Sequence, residues 1–155
     1  MHERISRDDV GIIIALAWGL RGTCVRRKVG CLLVDENGWA LSSGYNGPPS
    51  KERHCTMISP CPGALSPAGT GLELCEAIHA EQNALLRCPA PSQIYTCYVT
   101  HSPCMHCVKM LLNTPCRRVV FLERYAHDAE AQARWVSTGR EWLKLEGTYA
   151  IEMQP

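Results

Sequence analysis

The chain has 155 residues, enough for one domain with a sizeable hydrophobic core. Lys plus Arg number 16 and Asp plus Glu 15, a formal net charge of +1, which lacks the basic excess of a general nucleic-acid binder but leaves room for a local basic pocket. No apolar stretch nears the ~20 residues of a membrane-spanning helix, the start MHERISRDDVG does not read as a signal peptide, and ten cysteines in such a chain point to metal in a reducing, cytoplasmic setting rather than to a disulfide framework.

Residues 7–21, RDDVGIIIALAWGLR, predict a helix with a mostly buried face, capped by Ser6 or Asp8. A polar turn, TCVRRKVG, follows. CLLVDENGWALSSGYNG predicts a hairpin: a strand at 31–35, a turn at Glu36-Asn37-Gly38 and a strand at 39–44. Residues 47–72 form a long irregular loop with five of the ten prolines, at 48, 49, 60, 62 and 67. Such loops in compact domains are functional or tied down. Residues 76–88 predict a helix ended by Pro89, residues 94–100 a strand, 104–114 a helix stopped by Pro115, and RRVVFLE a further strand. Residues 127–143 look helical, with Ala129, Ala133, Trp135 and Trp142 as packing residues, and TYAIEM at 148–153 is the expected last strand. The alternating order predicts a single α/β domain over 1–155, a mixed sheet with helices on its faces. The short link makes the first two strands antiparallel.

Two segments carry the chemistry: His79-Ala80-Glu81 and Pro103-Cys104-Met105-His106-Cys107. Cysteines at i and i+3 share one helical face, and a helix N-terminus favours the thiolate that zinc requires. One histidine and two cysteines make three protein ligands, and catalytic zinc keeps a fourth position for water. Glu81, two residues past the candidate ligand His79, is suited to move protons rather than to bind metal. Alone, a Cys-x-x-Cys pair could equally be redox or structural. Together, H-x-E and P-C-x-x-C match the signature of the zinc nucleobase deaminases, in which the Glu is not a ligand.

With TCVRRKVGCLLV (23–34), SGYNGPPS (43–50), LCEAIHAEQNALL (74–86) and YVTHSPCMHCVKML (98–111), the chain resembles the deoxycytidylate (dCMP) deaminases of the cytidine deaminase superfamily over about residues 8–125. GYNG and HAEQNAL are more specific than the zinc motif alone. The resemblance implies a three-layer α/β/α cytidine deaminase-like fold around a five-stranded mixed sheet, and zinc-dependent hydrolysis of dCMP to dUMP and ammonia. It further implies a homo-oligomer, hexamer or dimer, with dCTP and dTTP as effectors acting near the GYNG loop. Asn46 is implied as a sugar contact, although an Asn before Gly47 is also a good turn residue. His101 could line the base, and Ala80 and Ser102 stand beside the motif residues as further substrate-binding candidates.

Two expectations concern charge and cysteine. Arg26, Arg27 and Lys28 make a basic cluster that could grip one phosphate, with Arg26 the first choice. Cys24, Cys55, Cys61 and Cys75 flank or interrupt the proline-rich loop at about 47–75. Their spacing alone favours buried thiols, but family members with a similar HC…C…LC pattern imply a second, structural zinc, with His54 as reserve ligand. Cys31, Cys88, Cys97 and Cys116 look like core or helix-end cysteines. Two alternatives stand beside dCMP deamination: a deaminase of another cytosine nucleotide (a modified dCMP, dCTP or CMP), and a non-catalytic zinc scaffold. Partners expected are a small nucleotide and other copies of the chain, with no nucleic acid polymer and no membrane.

Overall fold

The computed structural model describes residues 4–67 and 70–146. Helix α1 spans Arg7–Gly19 and is capped by Ser6, whose Oγ accepts from Asp9 N at 3.0 Å. Asp8 and Asp9 lie in its first turn, where the helix dipole favours negative charge. Strands β1 (Gly30–Val34) and β2 (Ala40–Tyr45) form the hairpin. They are followed by α2 (Ala80–Arg87), β3 (Thr96–His101), α3 (Met105–Leu112), β4 (Arg118–Glu123), α4 (Ala129–Val136) and β5 (Glu141–Lys144).

The sheet order is β2-β1-β3-β4-β5. β1 is antiparallel to both β2 and β3, while β3, β4 and β5 run parallel. Alternation along the strands divides the core into two layers. Leu32, Val34, Tyr98, Val120 and Leu122 meet Ile12 and Ala15 of α1 on one face. Cys31, Leu33, Cys97, Val99, Val119 and Phe121 meet residues of α2, α3 and α4 on the other, Trp135 among them. This is the three-layer α/β/α arrangement. Because both faces are covered, β1 and β3 are buried at nearly every position, so they show an apolar run rather than alternation.

Close packing sets α2 on the hairpin. A Cβ at Gly44 of β2 would lie 2.3 Å from the Ala80 carbonyl and 2.6 Å from the Ala84 nitrogen, so only glycine lets helix and strand backbones approach this far.

Two helix boundaries differ clearly from the sequence expectation. The helix expected from residue 76 begins at Ala80, because Ile78 bridges to Gly47 and His79 is an extended cap at φ −70°, ψ 156°. The helix expected over 127–143 ends at Val136. The chain turns through Gly139 at φ 76°, and Trp142 packs from β5, edge-on to Phe121 at 5.4 Å. Glycine in a left-handed conformation just past a helix is a stop signal, which the helical spacing of the two tryptophans obscures. The strand expected at 148–153 lies outside the described residues, and β5 occupies the fifth place in the sheet.

Candidate functional site

The parallel strands β3 and β4 point their carboxyl ends at one edge of the sheet, the usual place for a site in such folds. Two helix N-termini converge there. His79 is the N-cap of α2 and Cys104 the N-cap of α3, with Cys107 one turn further. The α2 cap is braced: His79 N donates to Gln82 Oε1 at 2.9 Å, as in a capping box. His79 Nδ1 lies 3.4 Å from both the Cys104 and the Cys107 sulfurs. Among the described residues, this trio alone brings three ligand atoms within 4.8 Å of one another.

Tetrahedral zinc with ordinary Zn–S and Zn–N bonds would hold nitrogen and sulfur about 3.5 Å apart, so the trio fits the ion in donor type and spacing. Electrostatics agree. The Cys107 thiol, bonded to Cys104 with help from His79, pushes Cys104 down to about 3, and the α3 N-terminus adds to the preference for thiolate. The same pairing holds Cys107 up. Hydrogen bonding to Cys104 raises His79 against the opposing effect of its burial.

Glu81 sits in the first turn of α2, only 3% exposed. Burial raises its carboxyl above the usual range, and the neighbouring His79 pulls it back. A carboxyl tuned upward beside a metal trio can both take and give a proton near neutral pH. Ala80, between the two, is fully buried under Gly44.

The other expected substrate contacts separate into two groups. His101 ends β3, with Nε2 3.2 Å from Glu123 Oε2 and Nδ1 3.1 Å from Thr100 Oγ1. Burial and then Arg27 lower its pKa, while Glu123 opposes them. Ser102 is buried, its hydroxyl donating to Asp128 Oδ2 at 2.8 Å and accepting from Tyr125 N at 2.6 Å. Asn46 first serves the turn before β1: its Oδ1 accepts from Val29 N at 2.9 Å and its Nδ2 donates to Arg27 O at 2.8 Å. Arg26 is drawn away from the site. Its guanidinium donates to the carbonyls of Gly63 (2.6 Å), Thr70 (3.1 Å) and Pro67 (3.3 Å), clamping the proline-rich loop. Arg27, of the same basic cluster, instead has its guanidinium carbon 5.9 Å from the Tyr125 ring centre. Sequence reasoning missed Tyr125 and Asp128. Their place just past a parallel strand was the available signal.

The second cysteine group gathers around one small cavity of about 10 Å³, lined by Cys24, Cys55, Cys61 and Cys75. The thiols influence one another in two pairs, Cys24 with Cys75 and Cys55 with Cys61, and the Cys55 sulfur accepts from Cys61 N at 3.3 Å. The neighbouring Cys75 thiol pushes Cys24 down to about 5, and Cys75 rises in return. Burial raises Cys61, but backbone N–H groups led by that of Glu76 outweigh it. His54 is exposed and does not line the cavity. Cys31, Cys97 and Cys116 are fully buried in the core, while Cys88 is half-buried at the end of α2.

Residues 8–123 match the family model for the cytidine and deoxycytidylate deaminase zinc-binding region. The deoxycytidylate deaminase of Mycobacterium phage D29 is 37% identical over 122 residues, spanning 74% of this chain and 92% of that protein. The deoxycytidylate deaminase of Saccharomyces cerevisiae is 32% identical over 130 residues, 83% of this chain but 41% of the longer yeast protein. The crystal structure of the dCMP deaminase of cyanophage S-TIM5 in complex with dCMP and dUMP superposes with a TM-score of 0.69 at 27% identity, covering 93% of this chain and 100% of that one. With the motif residues assembled as this zinc chemistry requires, the chain belongs to the cytidine and deoxycytidylate deaminase family.

Proposed function

We propose that this chain, as a single deaminase domain, hydrolyses dCMP to dUMP and ammonia. The observation that carries the reading is the His79, Cys104 and Cys107 trio beside buried Glu81, in a chain that spans nearly the whole of a phage deoxycytidylate deaminase. His79, Cys104 and Cys107 would hold zinc, which supplies a Lewis acid that makes water a competent nucleophile near neutral pH. Glu81 takes one proton from the attacking water and delivers it to the ring nitrogen N3, then takes the second from the hydroxyl formed at C4 and delivers it to the departing ammonia. Its burial keeps bulk water from short-circuiting these transfers. His101 walls the base, and Asn46 keeps one lone pair and one amide hydrogen for a sugar hydroxyl beyond its two turn bonds.

A non-catalytic zinc scaffold has no use for a buried, non-ligand carboxyl at an open metal position, and Glu81 counts against that alternative. Incubation with dCMP, CMP, dCTP and deoxycytidine, with product identified by chromatography, tests the reading. dUMP from dCMP at the highest kcat/KM is expected. A clear preference for another cytosine nucleotide transfers the assignment to that substrate, and no product from any of them overturns it.

Three finer readings belong here. The Cys24, Cys55, Cys61 and Cys75 cluster binds a structural zinc, supported by four thiols lining one cavity and by the donor set. Metal analysis should give two zinc ions per chain, falling to one in a Cys55→Ser, Cys75→Ser double variant. One ion in the unmodified protein ends this reading. The chain works as a homo-oligomer, to be checked by light scattering. The loop Gly44–Gly47 is where dCTP and dTTP would act, and hyperbolic kinetics insensitive to both would mark an unregulated enzyme. No helix among the described residues is long and apolar enough to cross a membrane.

A further inference from the structure

Asn46 owes its direction to the two peptide planes that flank its Cα, and each plane is held at both ends. In the plane before it, Asn46 N donates to Val29 O at 3.2 Å, and the Tyr45 carbonyl accepts from Asn83 Nδ2 at 2.8 Å. In the plane after it, the Asn46 carbonyl accepts from Thr23 N at 3.1 Å, and Gly47 N donates to Ile78 O at 3.2 Å. A peptide unit is flat and stiff, so pinning both planes fixes φ and ψ of Asn46 and with them the line of its Cα–Cβ bond. Three of the four partners are main-chain groups. Asn83 is the one side chain among them, and so the one partner that a substitution can remove.

Asn83 lies on α2, two residues past Glu81 and four past His79. Its amide can face only one way. Arg87, one turn on, carries donors and no acceptor, and its Nη1 reaches Asn83 Oδ1 at 3.0 Å and Asn83 O at 3.2 Å. The amide oxygen therefore belongs to Arg87 and the NH2 to the Tyr45 carbonyl. Two further contacts set the same helix on the same strand: Ser42 Oγ donates to Ala84 O at 2.7 Å, and Gly44 admits the Ala80 and Ala84 backbone. The helix that carries Glu81 and is capped by His79 thus also sets the angle of the proposed sugar contact. In dCMP the one free sugar hydroxyl is at C3′.

We infer that Asn83 is a positioning residue that holds Asn46 in register with His79 and Glu81, so that a nucleotide gripped at its 3′-hydroxyl presents cytosine C4 to the reacting centre. The inference rests on the deaminase reading and adds to it a residue that sets the preference for a 3′-hydroxyl.

Asn83→Asp keeps the shape of the side chain and its Arg87 contact, strips the donor and sets an oxygen against the Tyr45 carbonyl. Zinc-loaded enzyme is assayed with dCMP and with 2′,3′-dideoxycytidylate, which lacks the 3′-hydroxyl. The unmodified enzyme should favour dCMP by about 10-fold in kcat/KM, the worth of one good hydrogen bond. That preference should fall to about 2-fold in Asn83→Asp, through KM for dCMP. Arg87→Ala, at an exposed site, frees the amide to turn and should cost about 2- to 3-fold of the preference; it carries the test where Asn83→Asp does not fold. With no substrate present, amide hydrogen exchange at Asn46 and Val29 should quicken in Asn83→Asp, while zinc content stays as in the unmodified protein. Protection unchanged at both amides overturns the frame. Losses that fall equally on both substrates, or a preference intact in both variants, overturn the role of Asn83 and leave the deaminase reading standing. An unmodified enzyme indifferent to the 3′-hydroxyl overturns the sugar register as well. An unmodified chain that deaminates no cytosine nucleotide overturns that reading and this inference together.

Discussion

At the scale of single residues, the proposed reaction should depend on Glu81, and metal binding should not. Glu81→Gln keeps the shape of the side chain and removes the proton carrier. It should retain zinc by metal analysis and lose at least about 100-fold in turnover. Zinc lost together with activity, or turnover near normal, would show that the carboxyl has another role. A second residue-scale prediction concerns Asp8 at the start of α1. Burial pushes its carboxyl up, but hydrogen bonds from Arg118 and Tyr98 outweigh it and leave the group below its ordinary value of 3.8. The Arg118 contact is a two-pronged pair at 3.0 and 2.8 Å. A carboxyl lowered in the folded state stabilises fully above its unfolded pKa, and that contribution fades as pH falls through the folded one. Asp8→Asn should therefore cost about 1–2 kcal/mol at neutral pH and flatten the acid limb of stability against pH, measured by urea denaturation. An acid limb identical to that of the unmodified chain would refute the assignment.

At the scale of elements, the chemistry depends on how α2 sits on β2. In Gly44→Ala the new methyl group would strike the Ala80 and Ala84 backbone of α2, which carries Glu81 and is capped by His79. The expected cost is about 3 kcal/mol in stability, with a weakened zinc affinity read by competition with a chelator. Unchanged affinity would mean that α2 can shift without moving its cap. Element boundaries also show where sequence patterns mislead. Ser6, the hairpin turn and the Cys-x-x-Cys helix start were legible because local chemistry fixes them: a cap oxygen, an Asn-Gly turn and i, i+3 spacing. The end of α4 was not. Trp135 and Trp142 lie seven residues apart, as on one helical face, yet one packs from a helix and the other from a strand edge-on to Phe121. Tertiary packing of the second tryptophan overrode the apparent period.

At the scale of the molecule, the proposed metal would be a tie between two helices. His79 caps α2 and Cys104 caps α3, so zinc held there would bind the folded arrangement and not the unfolded chain. Removing it should lower the melting temperature, by the equivalent of about 4 kcal/mol at a thousandfold excess over Kd, with recovery on adding zinc back. A melting curve indifferent to chelation would place the metal outside the fold's stability. The sequence by itself determined the reaction class and the layer order. His79, Glu81, Cys104 and Cys107 carry their proposed roles in short spacings set by helix geometry, and apolar strands between amphipathic helices admit few architectures. Only the tertiary structure decided which arginine clamps the proline-rich loop and which lies over Tyr125. Arg26 and Arg27 are adjacent and chemically identical, but successive side chains leave an irregular turn in different directions. One reaches the proline-rich loop 37 to 44 residues away in the chain, and the other reaches a tyrosine 98 positions later. No local pattern encodes such long-range choices, because they are fixed by where the sheet brings distant segments together.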